Sequence, residues 1–164
     1  KIKVGDKIEI KPGRTTKKGL ETIETEVNSL HSGVARDSLG PGGLVAIGTS
    51  LDPAMTKSDS LLGNVIGKPG TLPPVWNKFS VEATLLDRVV GTKNIQDMDE
   101  LKTKEPLMIT VGTRTTVGIP ITVRKNIVDI NLTIPVCAPI GQRIALSRRV
   151  DGKWHLIGYG IIKE

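Results

Sequence analysis

The sequence has 164 residues, a length that fits one domain or two small ones, and a net charge of +6 at pH 7. Eighteen glycines and ten prolines against six alanines, with abundant Val, Ile and Thr, favour strands and turns over helices. The single cysteine, Cys137, excludes an intrachain disulfide and a zinc site built from several thiolates, and no apolar run approaches the ~18 residues of a membrane span. We therefore expect an all-β, cytoplasmic protein without a membrane segment.

The first half of the chain predicts short strands separated by turns. Apolar and polar residues alternate around Ile8 and again over residues 22–30, which is the period of a half-buried strand. Pro12 and Gly13 are expected to end the first of these strands, and the polar, basic residues 14–22 to form a long loop. Further strands are predicted at the apolar residues Leu44, Val45, Ile47, Leu61, Leu62, Val65 and Ile66. This spacing is typical of a small antiparallel barrel.

A segment rich in proline and glycine, residues 67–74, separates the two halves. Its composition can continue neither a central strand nor a helix. We therefore predict an interdomain linker at this segment, with one β-barrel formed by residues 1–74 and a second by residues 75–164. Each half carries a small positive charge, so neither half is a basic tail.

The second half predicts six strands and one long polar segment. Asp151 and Gly152 lie between two strand-like runs, which indicates a two-residue type I′ hairpin turn. Residues 91–104 are expected to form an exposed loop or a short helix. The acidic cluster in that segment lacks the glycine and the later glutamate of a calcium-binding loop; it comprises Asp97, Asp99 and Glu100. The six predicted strands cover residues 79–86, 107–111, 119–123, 127–136, 143–146 and 154–162.

No residue pattern predicts a catalytic or nucleotide-binding site. Residues 13–19 have the wrong glycine spacing for a phosphate-binding loop, and no helix pattern follows them. His31 and His155 lie far apart, in no spacing that indicates metal ligation or a nucleophile triad. Cys137 lies in an apolar run, where we expect a buried, inert thiol. The residues alone therefore predict two small basic β-barrels that act as a binding or scaffolding module.

Four longer stretches carry a family resemblance that spans essentially the whole chain: residues 3–13, 41–53, 85–91 and 143–162. They resemble the gamma subunit of archaeal and eukaryotic translation initiation factor 2, a relative of elongation factor Tu. The resemblance implies that the chain comprises β-barrels of the elongation factor Tu domain 2 and domain 3 type. It also implies that the GTPase domain and the first strands of the second domain precede Lys1.

The resemblance implies a role in protein biosynthesis. In this family the GTP form of a heterotrimer carries methionylated initiator tRNA to the small ribosomal subunit. The full subunit is a GTPase, whereas this chain is expected to be no enzyme and to bind no cofactor, because GTP and magnesium belong to the GTPase domain. The beta subunit is expected to bind through that same domain. Two alternatives stay open: a scaffold that binds proteins only, and a related elongation or selenocysteine-specific factor, which residues 85–91 and 143–162 argue against.

The resemblance also implies a groove for the aminoacylated 3′ end of the tRNA in the first barrel. Glycines would let the terminal adenosine approach backbone amides, and a short apolar side chain would cover the base. The alternative is that residues 41–43 form only a barrel turn. The implied groove residues are Asn28, His31, Gly42, Gly43, Leu44 and Val45.

Two basic groups complete the implied sites. The family's alpha subunit docks on the first barrel through a loop that matches residues 14–22, so Arg14, Lys17 and Lys18 are candidate contacts. The alternative is a solvated basic loop. Arg148 and Arg149 lie in the barrel that grips the tRNA T stem in elongation factors, but this contact is absent or displaced in the initiation-factor family. These two arginines are therefore a weak RNA candidate.

Overall fold

The computed structural model describes residues 1–17, 19–87 and 99–164. The chain divides into two compact units, Lys1–Leu72 and Pro73–Glu164. Within the described ranges, thirteen strands and one four-residue helix, α1 (Pro53–Thr56), form the regular structure, so the all-β class is confirmed. In these ranges no helix is long and apolar enough to cross a membrane.

The first unit is built on an open antiparallel sheet. Strands β4, β3, β2 and β7 lie side by side in that order, and β6 also pairs with β3, whereas β1 and β5 pair only with each other. The described strands therefore form a sheet and a separate ribbon and do not close into a barrel. The core lies under β3, where Ile8, Val27 and Leu30 are almost fully buried. The strands are β1 (Ile2–Lys3), β2 (Lys7–Thr16), β3 (Gly19–Ser32), β4 (Val34–Ala35), β5 (Ser38–Leu39), β6 (Ala46–Thr49) and β7 (Val65–Gly67).

Pro12 and Gly13 do not end β2, contrary to the sequence prediction. The β2–β3 register passes from Ile10 opposite Ile23 to Arg14 opposite Glu21, so the two residues lie in a bulge that needs no ladder hydrogen bond from proline. Gly13 has a φ of +89°, and a Cβ there would collide with the carbonyl oxygen of Glu21. The Gly13 N–H donates to Oδ1 of Asn64 at 2.7 Å. The bulge therefore lets the strand continue.

The other strand predictions of the first unit need shortening. Strand β6 begins at Ala46 and β7 at Val65, so Leu44, Val45, Leu61 and Leu62 lie outside strands. Leu61 and Leu62 belong to consecutive turns, in which the Leu62 N–H donates to the carbonyl of Asp59 at 2.9 Å. Short apolar runs therefore predict strand bounds poorly here, because the same residue types also occur in turns and in the segments before strands.

The segment predicted as a linker is anchored to the first unit by Glu9. Its carboxylate is 4% exposed and accepts the N–H groups of Gly70 at 3.1 Å and Leu72 at 3.3 Å. Lys11 Nζ lies 3.4 Å from the same Oε1. Desolvation raises the pKa of Glu9, but the two N–H donors and Lys11 outweigh it, so this pKa lies below its usual value. Gly67 itself belongs to β7, and the first unit ends at Leu72.

The second unit is a closed six-stranded antiparallel barrel with the strand order β10-β11-β8-β13-β12-β9. All six predicted strands are present, and the alternation in each places apolar residues in one interior core. Asp151 and Gly152 have φ values of +49° and +81°, which confirms the type I′ turn. Of the polar segment, residues 91–98 lie outside the described residues, and residues 99–104 form neither strand nor helix. The strands are β8 (Val75–Leu85), β9 (Leu107–Val111), β10 (Arg114–Arg124), β11 (Ile127–Cys137), β12 (Arg143–Val150) and β13 (Lys153–Ile162).

Candidate nucleic-acid interface

The outer side of the β3–β6 pair is a row of small residues bordered by polar side chains. Leu30 and its cross-strand partner Ile47 point into the core, so the neighbouring pairs, Ser29 with Gly48 and His31 with Ala46, point outward. A Cβ at Gly48 would meet the hydroxyl of Ser29, so a larger residue there would displace that side chain. The result is a shallow surface above Gly48 and Ala46 that the side chains of Ser29 and His31 border.

The segment before β6 presents one leucine to solvent. Gly42 and Gly43 have φ values of +102° and +77°, which suit glycine, and a Cβ at either would meet no atom within 4 Å. The next residue, Leu44, is 93% exposed, and its carbonyl accepts a hydrogen bond from Ser32 Oγ at 3.4 Å. Val45 is partly buried and packs against the core of the first unit, so of these two apolar residues Leu44 presents more of its side chain to a ligand.

Asn28 lies at the start of the same surface and is already engaged. It is the extra residue of a bulge in β3, between the pairs of Val27 with Thr49 and Ser29 with Gly48. Its side-chain Nδ2 donates to Ser50 Oγ at 3.0 Å. Asn28 therefore positions the end of β6, and its amide is only partly free for a ligand.

Arg36 is a residue that the sequence analysis did not identify. A cavity of about 440 Å³ is lined by Asn28, His31, Arg36 and their neighbours. Arg36 is exposed, and its backbone N–H donates to the carbonyl of Leu30 at 2.9 Å, which holds the arginine beside β3. Arg36 is the only basic residue between Gly33 and Gly43. A single basic residue in the segment that follows a candidate binding strand is the sequence feature that could have identified it.

We use the name β3–β6 face for the outward residues of this strand pair together with Leu44, in the segment before β6, and Arg36, which shares a cavity with Ser29 and His31. Its members are Ser29, His31, Arg36, Leu44, Ala46 and Gly48. An imidazole and a hydroxyl offer hydrogen bonds, Leu44 offers an apolar cover, and Arg36 offers a charge for a phosphate. The small residues between them let a flat group approach the sheet. Such a combination suits an unstacked nucleotide at the end of a single strand.

The predicted loop of residues 14–22 is a hairpin in the structure. Arg14, Thr15 and Thr16 pair with Glu21, Leu20 and Gly19, so the β2–β3 ribbon extends to a two-residue connection. Arg14 Nη2 lies 3.6 Å from Glu21 Oε2, in an ion pair whose two side chains are both exposed. Lys17 is exposed at the tip, and Lys18 lies outside the described residues.

Arg148 and Arg149 have structural partners in the second unit. Arg148 donates through Nε and an Nη to both carboxylate oxygens of Glu105, at 2.5 and 3.1 Å. Its Nη atoms also donate to the carbonyls of Asp99 and Glu100 at 3.0 and 2.9 Å. Arg149 donates to the carbonyl of Gly152 at 3.3 Å in the hairpin turn. Arg148 therefore acts as a structural clamp that holds residues 99–105, and its Nε and both Nη atoms already donate hydrogen bonds within the chain.

The remaining candidate groups carry no site. Cys137 is 8% exposed, which confirms its predicted burial, and its Sγ donates to the carbonyl of Pro73 at 3.3 Å. Over residues 1–17, 19–87 and 99–164, no three His, Cys, Asp or Glu side chains come together as metal ligands. Asp97 of the acidic cluster lies outside these ranges.

Comparisons with known proteins identify the family. A family model described as "Initiation factor eIF2 gamma, C terminal" matches residues 77–162. "Translation initiation factor 2 subunit gamma" of Methanothermobacter thermautotrophicus is 52% identical over 99% of this chain and 41% of that protein. The protein of the same name from Pyrococcus furiosus is 48% identical over 100% of this chain and 41% of that protein.

A solved structure shares the fold. Bacterial selenocysteine-specific elongation factor EF-Sec superposes with a TM-score of 0.69 over 98% of this chain and 23% of that chain, at 20% identity. The chain spans 41% of the length of the curated relatives it matches. On the family model and these identities, the chain belongs to the family of translation initiation factor 2 gamma subunits.

Proposed function

We propose that this chain is the C-terminal part of a gamma subunit that delivers methionylated initiator tRNA to the small ribosomal subunit in the cytoplasm. In this proposal its first unit holds the aminoacylated 3′ end of the tRNA on the β3–β6 face. GTP and magnesium bind to the part of the subunit that this chain does not span, and that part also contacts the beta subunit.

The observation that carries the proposal is the exposure of Leu44 beside a row of small residues. A leucine that is 93% exposed gains nothing from the core of the first unit. It follows two glycines in left-handed conformations and precedes Ala46 and Gly48, which leave the sheet open to a flat ligand. His31 and Arg36 supply the polar groups that such a ligand needs.

The test compares two exposed leucines in the full-length gamma subunit loaded with a GTP analogue. Leu44→Ala removes the proposed cover, and Leu62→Ala, at a leucine that is 65% exposed in a turn, is the matched control. Loss of one leucine contact of about 1.4 kcal/mol should weaken binding of methionylated initiator tRNA about tenfold, while the control changes it less than about twofold. Equal losses for the two variants would place the tRNA elsewhere.

Two glycines separate backbone strain from binding. Gly43 and Gly70 share a φ of +77°, and a Cβ at either position meets no atom within 4 Å, so an alanine substitution strains both alike. Only Gly43 belongs to the segment before the β3–β6 face. Gly43→Ala should therefore weaken the binding of methionylated tRNA more than Gly70→Ala does. It should also weaken the binding of methionylated tRNA more than the binding of uncharged tRNA. An equal loss for charged and uncharged tRNA contradicts the placement of the groove.

We further propose that the tip of the β2–β3 ribbon contacts the alpha subunit. Lys17→Glu reverses an exposed charge at the tip, whereas Arg14 has its ion pair with Glu21. Lys57→Glu reverses another exposed lysine of the same unit and is the control. Lys17→Glu alone should weaken association with the alpha subunit, and Lys18→Glu should act in the same direction. Unchanged affinity at low salt would remove the ribbon from that interface.

A further inference from the structure

The outer side of the β12–β13 pair carries an apolar stripe with an arginine at each end. Ile144 and Gly160 point into the barrel, and the alternate residues of β12 point outward. In β13 a bulge adds the buried Ile157 between the partners of Leu146 and Ser147, so the outward positions change from Tyr159 to Leu156 and Trp154. The cross-strand pairs on the outer side are Arg149 with Trp154, Ser147 with Leu156, and Ala145 with Tyr159. We call this surface the β12–β13 face; it comprises Arg143, Ala145, Ser147, Arg149, Trp154, Leu156 and Tyr159.

The face uses half of the chain's aromatic residues. The sequence has only two tryptophans, one tyrosine and one phenylalanine. Phe79 is 1% exposed in the core, and the Trp76 indole N–H donates to the carbonyl of Ala138 at 2.7 Å, so these two serve the fold. Trp154 is 38% exposed and Leu156 is 41% exposed. Tryptophan, tyrosine and arginine are the residue types that dominate binding energy in protein interfaces.

The two arginines are arranged to accept anions. The Arg143 guanidinium lies over the Tyr159 ring, 4.5 Å from its centroid, and this contact orients its N–H groups in the plane above the ring. Arg149 is held through Nε by the hairpin carbonyl. Within the described ranges, neither arginine forms an ion pair with a carboxylate. Their charges are therefore available to a partner.

The spacing and the shape indicate what partner fits. Arg143 and Arg149 are six residues apart on one strand, which places their Cα atoms about 20 Å apart. Between them Ala145 is small and Ser147 is only 7% exposed, so neither projects from the strand and a segment can lie along β12 with apolar side chains against Trp154 and Leu156. All six strands are paired in the closed barrel, so the partner binds through side chains and not by adding a strand.

We propose that the β12–β13 face docks an extended protein segment that carries a carboxylate at each end and apolar side chains between them. A single-stranded RNA fits this face less well. Base stacking needs an open ring, whereas Arg143 covers Tyr159, and a phosphate backbone needs cations along its whole length, whereas the arginines stand only at the two ends.

The test uses the 164-residue chain and fluorescein-labelled seven-residue peptides, whose extended length of about 20 Å matches the arginine spacing. The probe is Glu-Ser-Leu-Ser-Leu-Ser-Glu. Its controls have Gln at both ends, Lys at both ends, or Ser in place of Leu. Fluorescence anisotropy should rank the acidic, apolar probe above every control. A probe that binds no better than its Gln-ended control overturns the proposal.

Matched variants locate the binding. Trp154→Ala and Arg149→Gln should each weaken the probe about tenfold. Ile140→Ala, at an isoleucine that is 61% exposed between β11 and β12, and Arg124→Gln, at an exposed arginine of β10, should leave it within about twofold. Equal thermal midpoints establish that the variants are folded. Equal losses in the control variants, or tighter binding of a seven-nucleotide oligouridylate that competes with the probe, would overturn the proposal.

Discussion

Arg148 could contact RNA or could hold residues 99–105 in place, and the Arg148→Met substitution tests which of these two roles it has. The side chains of Arg148 and Glu105 are 12% and 21% exposed. Four hydrogen bonds connect the guanidinium to the Glu105 carboxylate and to the carbonyls of Asp99 and Glu100. Methionine keeps the aliphatic stem, so the substitution removes the guanidinium and deprives the carbonyls of Asp99 and Glu100 of its hydrogen bonds. The Glu105 carboxylate loses its charged donor and keeps the Lys102 N–H at 3.3 Å.

The expected cost follows from the burial of this pair. Breaking a fully buried ion pair costs about 3–5 kcal/mol, and a hydrogen bond to a charged group contributes about 1.5–3 kcal/mol. Because both side chains retain some contact with solvent, we expect a loss of about 2–3 kcal/mol. In a domain of this size, that loss lowers the thermal midpoint by roughly 10–20 °C.

Tryptophan fluorescence is the assay, because Trp76 and Trp154 both belong to the second unit and report its unfolding. Arg149→Met removes only one hydrogen bond of an exposed neighbour and should change stability by less than about 0.5 kcal/mol. A double-mutant cycle with Glu105→Gln should return a coupling energy above about 1 kcal/mol. An unchanged midpoint for Arg148→Met, or a weakened tRNA affinity in a variant of unchanged stability, would refute the clamp.

Two further predictions concern the two cores. Glu9 has a lowered pKa, so its contribution is present above its usual value of 4.5 and is lost as the pH falls through the lower folded value. Hydrogen-exchange protection of the Gly70 and Leu72 amides should therefore fall on acidification below pH 4.5 and should lose this dependence in Glu9→Gln; identical profiles would contradict it. Gly118→Ala places a Cβ 2.6 Å from Ile130 Cγ2 and 2.7 Å from Ile109 Cγ1. This overpacking should lower the free energy of unfolding of the second unit by about 1–3 kcal/mol in denaturant unfolding, whereas Gly40→Ala, where a Cβ meets open space, should leave stability nearly unchanged. Equal stabilities of the two variants would contradict this prediction.

The second unit was predictable because its strands alternate between apolar and polar residues over most of their length, with breaks at the bulges. Residues 107–111 match β9 to the residue, and the Asp151-Gly152 turn fixes the register of the last hairpin. A closed barrel with one interior face imposes this period on every strand. Strand β10 extends beyond the predicted bounds because residues 114–118, most of which are polar or small, pair with β9.

The first unit was harder to predict because proline and glycine residues that usually end strands have other roles in it. Pro12 and Gly13 normally end a strand, but here they occupy a bulge that Asn64 satisfies from 51 residues further along the chain. A contact so distant in sequence leaves no local signal. The contacts of Glu9 with the predicted linker are equally distant in sequence, because this carboxylate accepts hydrogen bonds from the N–H groups of Gly70 and Leu72.

The candidate site was only partly predictable for a related reason. His31 and Leu44 followed from the family resemblance and lie on the β3–β6 face. Val45 also followed from the resemblance but packs against the core, because a resemblance accurate to one or two residues does not determine which side chains of this segment face outward. Arg36 was missed because only the hydrogen bond to Leu30 and the shared cavity bring it beside His31.

The central claim is that the β3–β6 face receives the 3′ end of initiator tRNA, and cross-linking from that end tests it most directly. Methionylated initiator tRNA with an azido group on its terminal adenosine is bound to the full-length subunit with a GTP analogue, irradiated, and the modified residues are identified by mass spectrometry. We predict modification within residues 28–48, at His31 and Leu44 first. Modification confined to residues 75–164, or to residues 14–21 at the tip of the β2–β3 ribbon, would contradict the claim.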